Sequence, residues 1–248
     1  MNATVSTSRH WYRRRRNVVL GLAGLVLVGA VGAGAGLWYI LVGFPAPAAA
    51  SADIAAGVAA PAPASFDGAW QVNDSLGSYS DFSSSWLGYR VQEQFIGVGG
   101  HTAVGRTPKV TGTMTLKGST VTSASITGDL TALTSDAPQR DGELGDSAIE
   151  SSTFPTATFV LTNPIDLGSL PSDATSVTVT ASGRFTLHGV TRDVQVSLQA
   201  LRKGGVIAVS GSLPVVFSDY GFKGPTVLNF VTVNDHGTME LHLLFTHA

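Results

Sequence analysis

The 248-residue chain contains no cysteine. That absence excludes disulfides, thiolate nucleophiles and cysteine metal sites together, while leaving the compartment open. Charge is also scarce: Asp, Glu, Lys and Arg make up 13% of the residues, and the first acid is Asp53. Several catalytic signatures are missing. There is no Gly-x-Ser-x-Gly elbow and no Walker loop closed by Lys-Ser/Thr. Gly97-x-Gly99 lacks the third glycine and the following helix of a dinucleotide site, so it reads as a loop. The six histidines (His10, His101, His188, His236, His242 and His247) form no His-Glu-x-x-His pair. His242 and His247 lie five apart, so on one strand they point in opposite directions. No catalytic residue, metal or cofactor is therefore expected. A hydrolase would need a convergent nucleophile, base and oxyanion hole, and no spacing announces one.

What is present falls into four parts. Residues 1–17 are a basic tail carrying Arg9 and Arg13 to Arg16 with no acid. Residues 18–44 are uncharged and, as a helix, would be about 40 Å long, more than the ~30 Å bilayer core requires. The preceding arginines place the N-terminus in the cytoplasm and the rest outside. Trp11-Tyr12 and Trp38-Tyr39 fall where interfacial anchors belong. The segment is read as a retained single-pass signal anchor. The rival is a cleaved signal peptide ending near Ala48-Ala49-Ala50 or Ala50-Ser51-Ala52, which would leave the domain secreted; its apolar region should be only ~7–15 residues long. Gly32-x-x-x-Gly36 is compatible with helix pairing, and so with a homodimer, or with plain Gly/Ala-rich packing. Residues 45–65 are Ala/Pro-rich with almost no charge and read as an extended spacer.

Residues 66–248 hold ten basic and sixteen acidic residues, a net of −6. An acidic domain argues against nucleic acid as a partner. The chain here alternates with period two, the mark of strands with one buried face. Arg184 to Leu201 shows it best: Phe185 and Leu187, then Val190, Val194, Val196 and Leu198, alternate with polar residues around a corner at His188-Gly189. Val110–Lys117, Thr120–Leu133, Thr156–Leu161, Val206–Phe217 and the stretch from Met239 to Phe245 behave alike. Only Asp136 to Ser152 lacks the alternation and reads as a loop with a helical turn. About eight antiparallel strands at this spacing make a barrel or a sandwich.

Five motifs then occur in order. Ala69-Trp70-Gln71-Val72-Asn73, Arg140-Asp141-Gly142-Glu143-Leu144, Thr153-Phe154-Pro155-Thr156-Ala157-Thr158-Phe159, Thr186-Leu187-His188-Gly189-Val190-Thr191-Arg192 and Ser218-Asp219-Tyr220-Gly221 together resemble the YceI-like family of lipocalin-like, polyisoprenoid-binding barrels. Tyr89-Arg90-Val91 and Val104-Gly105-Arg106-Thr107 resemble its actinobacterial, membrane-anchored branch. The resemblance selects the barrel over the sandwich and implies an isoprenoid lipid, a quinone or a polyprenyl phosphate, as partner. The candidate ligand contacts are Tyr89, Phe95, Arg140, Phe154, Phe159, Leu187, His188, Arg192, Phe217, Tyr220 and Phe222. Arg140 and Arg192 would grip a head group by forked hydrogen bonds; the competing reading is that they and their aspartates fix turns. The aromatics would line a tunnel or simply fill a core.

The expected protein is thus an all-β lipocalin-like barrel behind one transmembrane helix, tethered outside the cytoplasm and holding a lipid. The alternative is a structural or stress-related envelope module with a filled core and a protein partner. An apolar interior cavity of roughly 300 Å³ or more separates the two.

Overall fold

Thr, Val and Ser, abundant after Phe66, suit pleated, half-buried strands, and the alternation leaves each strand with an apolar face to bury. One sheet that closes on itself buries all of those faces together. The computed structural model does this. It describes residues 46–95, 97, 99–135, 141–142, 149–221 and 231–248, so the expected membrane segment and most of the Asp136–Ser152 loop lie outside the described residues.

The strands are β1 (Gly68–Val72), β2 (Trp86–Phe95), β3 (Gly99–Thr107), β4 (Val110–Lys117), β5 (Thr120–Asp129), β6 (Thr134–Ser135), β7 (Thr156–Leu161), β8 (Ile165–Asp166), β9 (Ser176–Leu187), β10 (Val190–Lys203), β11 (Val206–Val216) and β12 (Val231–His247). All pair antiparallel. Eight form a closed ring in the order β1-β4-β5-β7-β9-β10-β11-β12, and β12 pairs back onto β1. The fold is an all-β antiparallel eight-stranded barrel.

β12 does double duty. Its last residues pair with β1, and its earlier ones pair with β2, from which β3 and β6 continue the wall. A register shift between Val233 and Gly237 marks a bulge there, a device that bends a strand from one partner toward another.

The β9–β10 hairpin turns at His188-Gly189 with φ of 51° and 73°. A two-residue hairpin turn with both residues at positive φ suits the right-handed twist of its strands. Glycine supplies the second position without strain, and His188 is held by its side chain. Nδ1 lies 3.0 Å from the Tyr220 carbonyl oxygen and Nε2 2.8 Å from Glu150 Oε2, with the Phe154 ring 4.1 Å away. The hairpin corner is thereby fastened to the turn after β11.

Trp70, fully buried, anchors the interior core. Its Nε1 donates to the Phe66 carbonyl at 3.0 Å, and its ring stacks on Phe66 and meets His247 edge-on. Leu87, Met114, Ile126, Phe185, Leu187, Leu213, Leu243 and Phe245 share this core.

The outer face of β12 differs from the alternation's forecast. Met239, Leu241, Leu243 and Phe245 face inward as the pattern requires. Glu240, His242 and Leu244 point outward yet are buried. Residues 46–65, expected to be a spacer, cover them. The segment is extended but lies along the barrel: Val58 packs with Val206, Ala208 and Leu244, and the Ala60 carbonyl accepts from Gly205 N at 2.9 Å. An Ala/Pro-rich segment builds no core of its own, but two small side chains and a row of carbonyls suffice against a prepared surface.

Candidate functional site

Where eight strands enclose a core of modest side chains, the interior is either filled or left as a slot. Small residues face inward here: Ala124, Ala157, Ala181 and Ala200, with Gly211 beside them. Gly183 lets the Phe159 ring lie flat across its strand, since a Cβ there would come within 2.3 Å of Phe159 Cζ. The result is an apolar slot of about 160 Å³ running down the interior. That is below the ~300 Å³ set above to separate a ligand cavity from a filled core, so volume alone does not favour the lipid reading, and the bore admits only a slender ligand.

The slot has a direction. Its inner wall includes Leu87, Phe185, Val196 and Leu243, all buried. Its outer part is lined by Phe66, Leu116, Leu167, Leu170, Pro171, Leu201 and Arg202, and Leu170 is 39% exposed. These residues cluster at the end defined by the β4–β5 and β10–β11 turns and by the start of β1, which is therefore the mouth. Among the described residues that line the slot, Arg202 is the cation. Its guanidinium carbon stands 4.7 Å from the Phe66 ring centroid, Nε donates to the Pro171 carbonyl at 3.2 Å, and Nη1 lies 3.3 Å from Asp173 Oδ1.

Most residues forecast as ligand contacts sit at the opposite end. Of the nine described, Phe159 lines the slot. Phe154 and His188 form the hairpin corner, and Tyr220 closes beside them with its ring 5.7 Å from Phe185. Arg192 Nε donates to the Asp219 carbonyl at 2.7 Å and Nη2 lies 3.5 Å from Asp219 Oδ1 on a half-exposed surface, which is the turn-fixing role. Leu187 and Phe217 are core. Tyr89 packs over Gly105, where a Cβ would meet its ring at 2.3 Å, and Phe95 meets His101 edge-on near the β2–β3 turn. Arg140 and Phe222 lie outside the described residues. The sequence argument missed Arg202, Phe66 and the inward-facing alanines. Arg202 carried a signal: it ends an alternating strand at a Lys203-Gly204-Gly205 turn, where a polar side chain meets the barrel's rim. Among the described residues no cluster of His, Asp and Glu has metal-binding character.

A closed antiparallel barrel around an apolar slot, open at one rim, defines a lipocalin-like class of protein. Residues 80–245 match the YceI-like domain, and the chain belongs to that family. No curated protein matches the chain. Among solved structures, a polyisoprenoid binding domain from Saccharophagus degradans implicated in plant cell wall breakdown is similar at a TM-score of 0.56 and 17% identity, over 72% of this chain and 98% of that one. BcnA of Burkholderia cenocepacia is similar at a TM-score of 0.49 and 19% identity, over 64% and 95%. The YCEI protein of Campylobacter jejuni gives 0.41 and 15%, over 56% and 83%.

Proposed function

We propose that the barrel binds the prenyl chain of an isoprenoid lipid in its slot, with the head group held at the rim by Arg202, and that residues 18–44 tether it to the outer face of the cell membrane as in an actinobacterial, membrane-anchored branch of the family. The slot itself carries the reading. Its wall is chiefly aliphatic and aromatic, and each methylene moved there from water contributes about 0.8 kcal/mol. A narrow bore favours a slim, methyl-branched chain over a globular ligand. A quinone oxygen or a phosphate at the rim meets a guanidinium, which suits either by forked hydrogen bonds. A bilayer offers the same chain nearly the same gain, so the difference in affinity is small, as a carrier that must load and unload requires. A tether raises the effective concentration of barrel at the lipid. The named content of the Saccharophagus degradans domain supports the same ligand class.

The test is lipid capture. Delipidated full-length chain is exposed to a total membrane lipid extract and analysed by native mass spectrometry. An adduct whose mass is that of a prenyl quinone or prenyl phosphate is the expected result; a barrel that stays empty, or takes only straight-chain fatty acids, defeats the reading.

A further inference from the structure

Three side chains on the outer wall read three backbone carbonyls of one extended segment. Arg90 Nη2 donates to the Pro47 carbonyl at 2.7 Å. Arg106 Nη2 donates to the Ala48 carbonyl. His242 Nδ1 lies 2.9 Å from the Ser51 carbonyl oxygen. These donors are themselves fixed. Arg106 is stacked with its guanidinium carbon 3.8 Å from the Trp86 ring centroid and 4.3 Å from that of Phe82, and Glu240 lies 3.2 Å from Arg90 Nε and 3.9 Å from Arg106 Nη2. Farther along, Val58 fills a socket of Val206, Ala208 and Leu244. Arginine and aromatic side chains in a groove that contacts carbonyls of a proline-bearing extended peptide are the elements of polyproline-type recognition.

The segment is held at few points. From residue 46 to 60 only Ala52 and Val58 are buried, the rest are partly or fully exposed, and none joins a strand of the barrel. The groove is built; its occupant is lightly attached.

We propose that the outer face of β3, β2, β12 and β11 is a docking groove for an extended, Ala-rich peptide, and that residues 47–58 fill it in cis as a releasable clasp. Docked, the clasp makes the chain leave the barrel wall at Ala46. Released, it adds the twenty residues from 46 to 65 to the leash, up to about 70 Å when extended.

The absence of native cysteine makes the test direct. In the full-length chain, Ala52→Cys puts a thiol under the clasp and Ala49→Cys puts one on its exposed side. The Ala52→Cys thiol should react with a small maleimide at least tenfold more slowly than the Ala49→Cys thiol. Adding Val58→Asp should bring the two rates together, whereas adding Ala56→Asp, at an exposed clasp position, should not. A fluorescent peptide of residues 46–60 should bind the Val58→Asp chain and ignore the parent, whose groove is filled. Equal thiol rates in the parent overturn the clasp. Failure of the peptide to bind a Val58→Asp chain whose near-ultraviolet circular dichroism matches the parent overturns the groove. Neither result depends on lipid binding, so this inference and the proposed function stand or fall separately.

Discussion

At the scale of single residues, three positions carry sharp expectations. Trp70 is fully enclosed, stacked and hydrogen-bonded; removing so large a core side chain costs about 3–5 kcal/mol, so Trp70→Ala should lose that much in urea unfolding. Glu240 stands between Arg90 and Arg106 on the outer wall. Its replacement leaves buried Arg106 and half-buried Arg90 without their counter-charge, and breaking a buried ion pair from one side costs about 3–5 kcal/mol; Glu240→Gln should unfold at correspondingly lower denaturant, and Arg90→Gln less so because Arg90 is more exposed. His242 is pushed below the ordinary imidazole pKa chiefly by burial and also by nearby Arg106, against the opposing pull of the Ser51 carbonyl and of Asp53. The folded state therefore prefers neutral His242. Its contribution is intact above the unfolded pKa of about 6.5 and falls away as pH drops below it, by at most about 1.4 kcal/mol per pH unit. Unfolding titrations at pH 7.5 and pH 5.5 should show this loss in the parent and a smaller one in His242→Gln.

At the scale of elements, the alternation was a good guide to which residues face in and a poor guide to what covers the outside. β4, β7, β10 and β11 follow their expected inward faces, and the His188-Gly189 corner is where the pattern breaks. β9 and β12 run longer than their apolar cores, because ladder pairing continues through Ser182-Gly183 in β9 and β12 stays extended across the bulge between Val233 and Gly237, where side-chain pattern gives no signal. The site was less legible. Aromatic residues attracted attention as tunnel walls, but a tunnel is made by what is small, and Ala181, Ala124 and Ala200 left no mark in the sequence. Ala181→Phe should fill the slot from β9. It should leave the near-ultraviolet circular dichroism and unfolding midpoint close to the parent's, since it occupies empty space, and should lower prenyl-lipid capture at least tenfold by native mass spectrometry.

At the scale of the whole molecule, the two ends of the barrel do different work. One is fastened: His188, Glu150, Phe154, Tyr220 and Arg192 with Asp219 join the β9–β10 corner to the turn after β11. The family motifs Thr153 to Phe159, Thr186 to Arg192 and Ser218 to Gly221 converge there. They fasten that corner, while the described lining of the slot reaches the other rim. Period two made the all-β class readable and the family resemblance selected the barrel; which rim is open depends on side-chain volumes summed across eight strands, a property no single segment contains.

The open rim also hosts the last residues of the chain. His247 pairs with Trp70, and Ala248 N donates to the Ala69 carbonyl at 2.9 Å. Anything joined to Ala248, whether an affinity tag or a fluorescent partner, therefore stands beside the doorway and competes for passage through it. On the proposed lipid reading, capture assays made with such fusions will under-report loading relative to the same chain labelled at the opposite end.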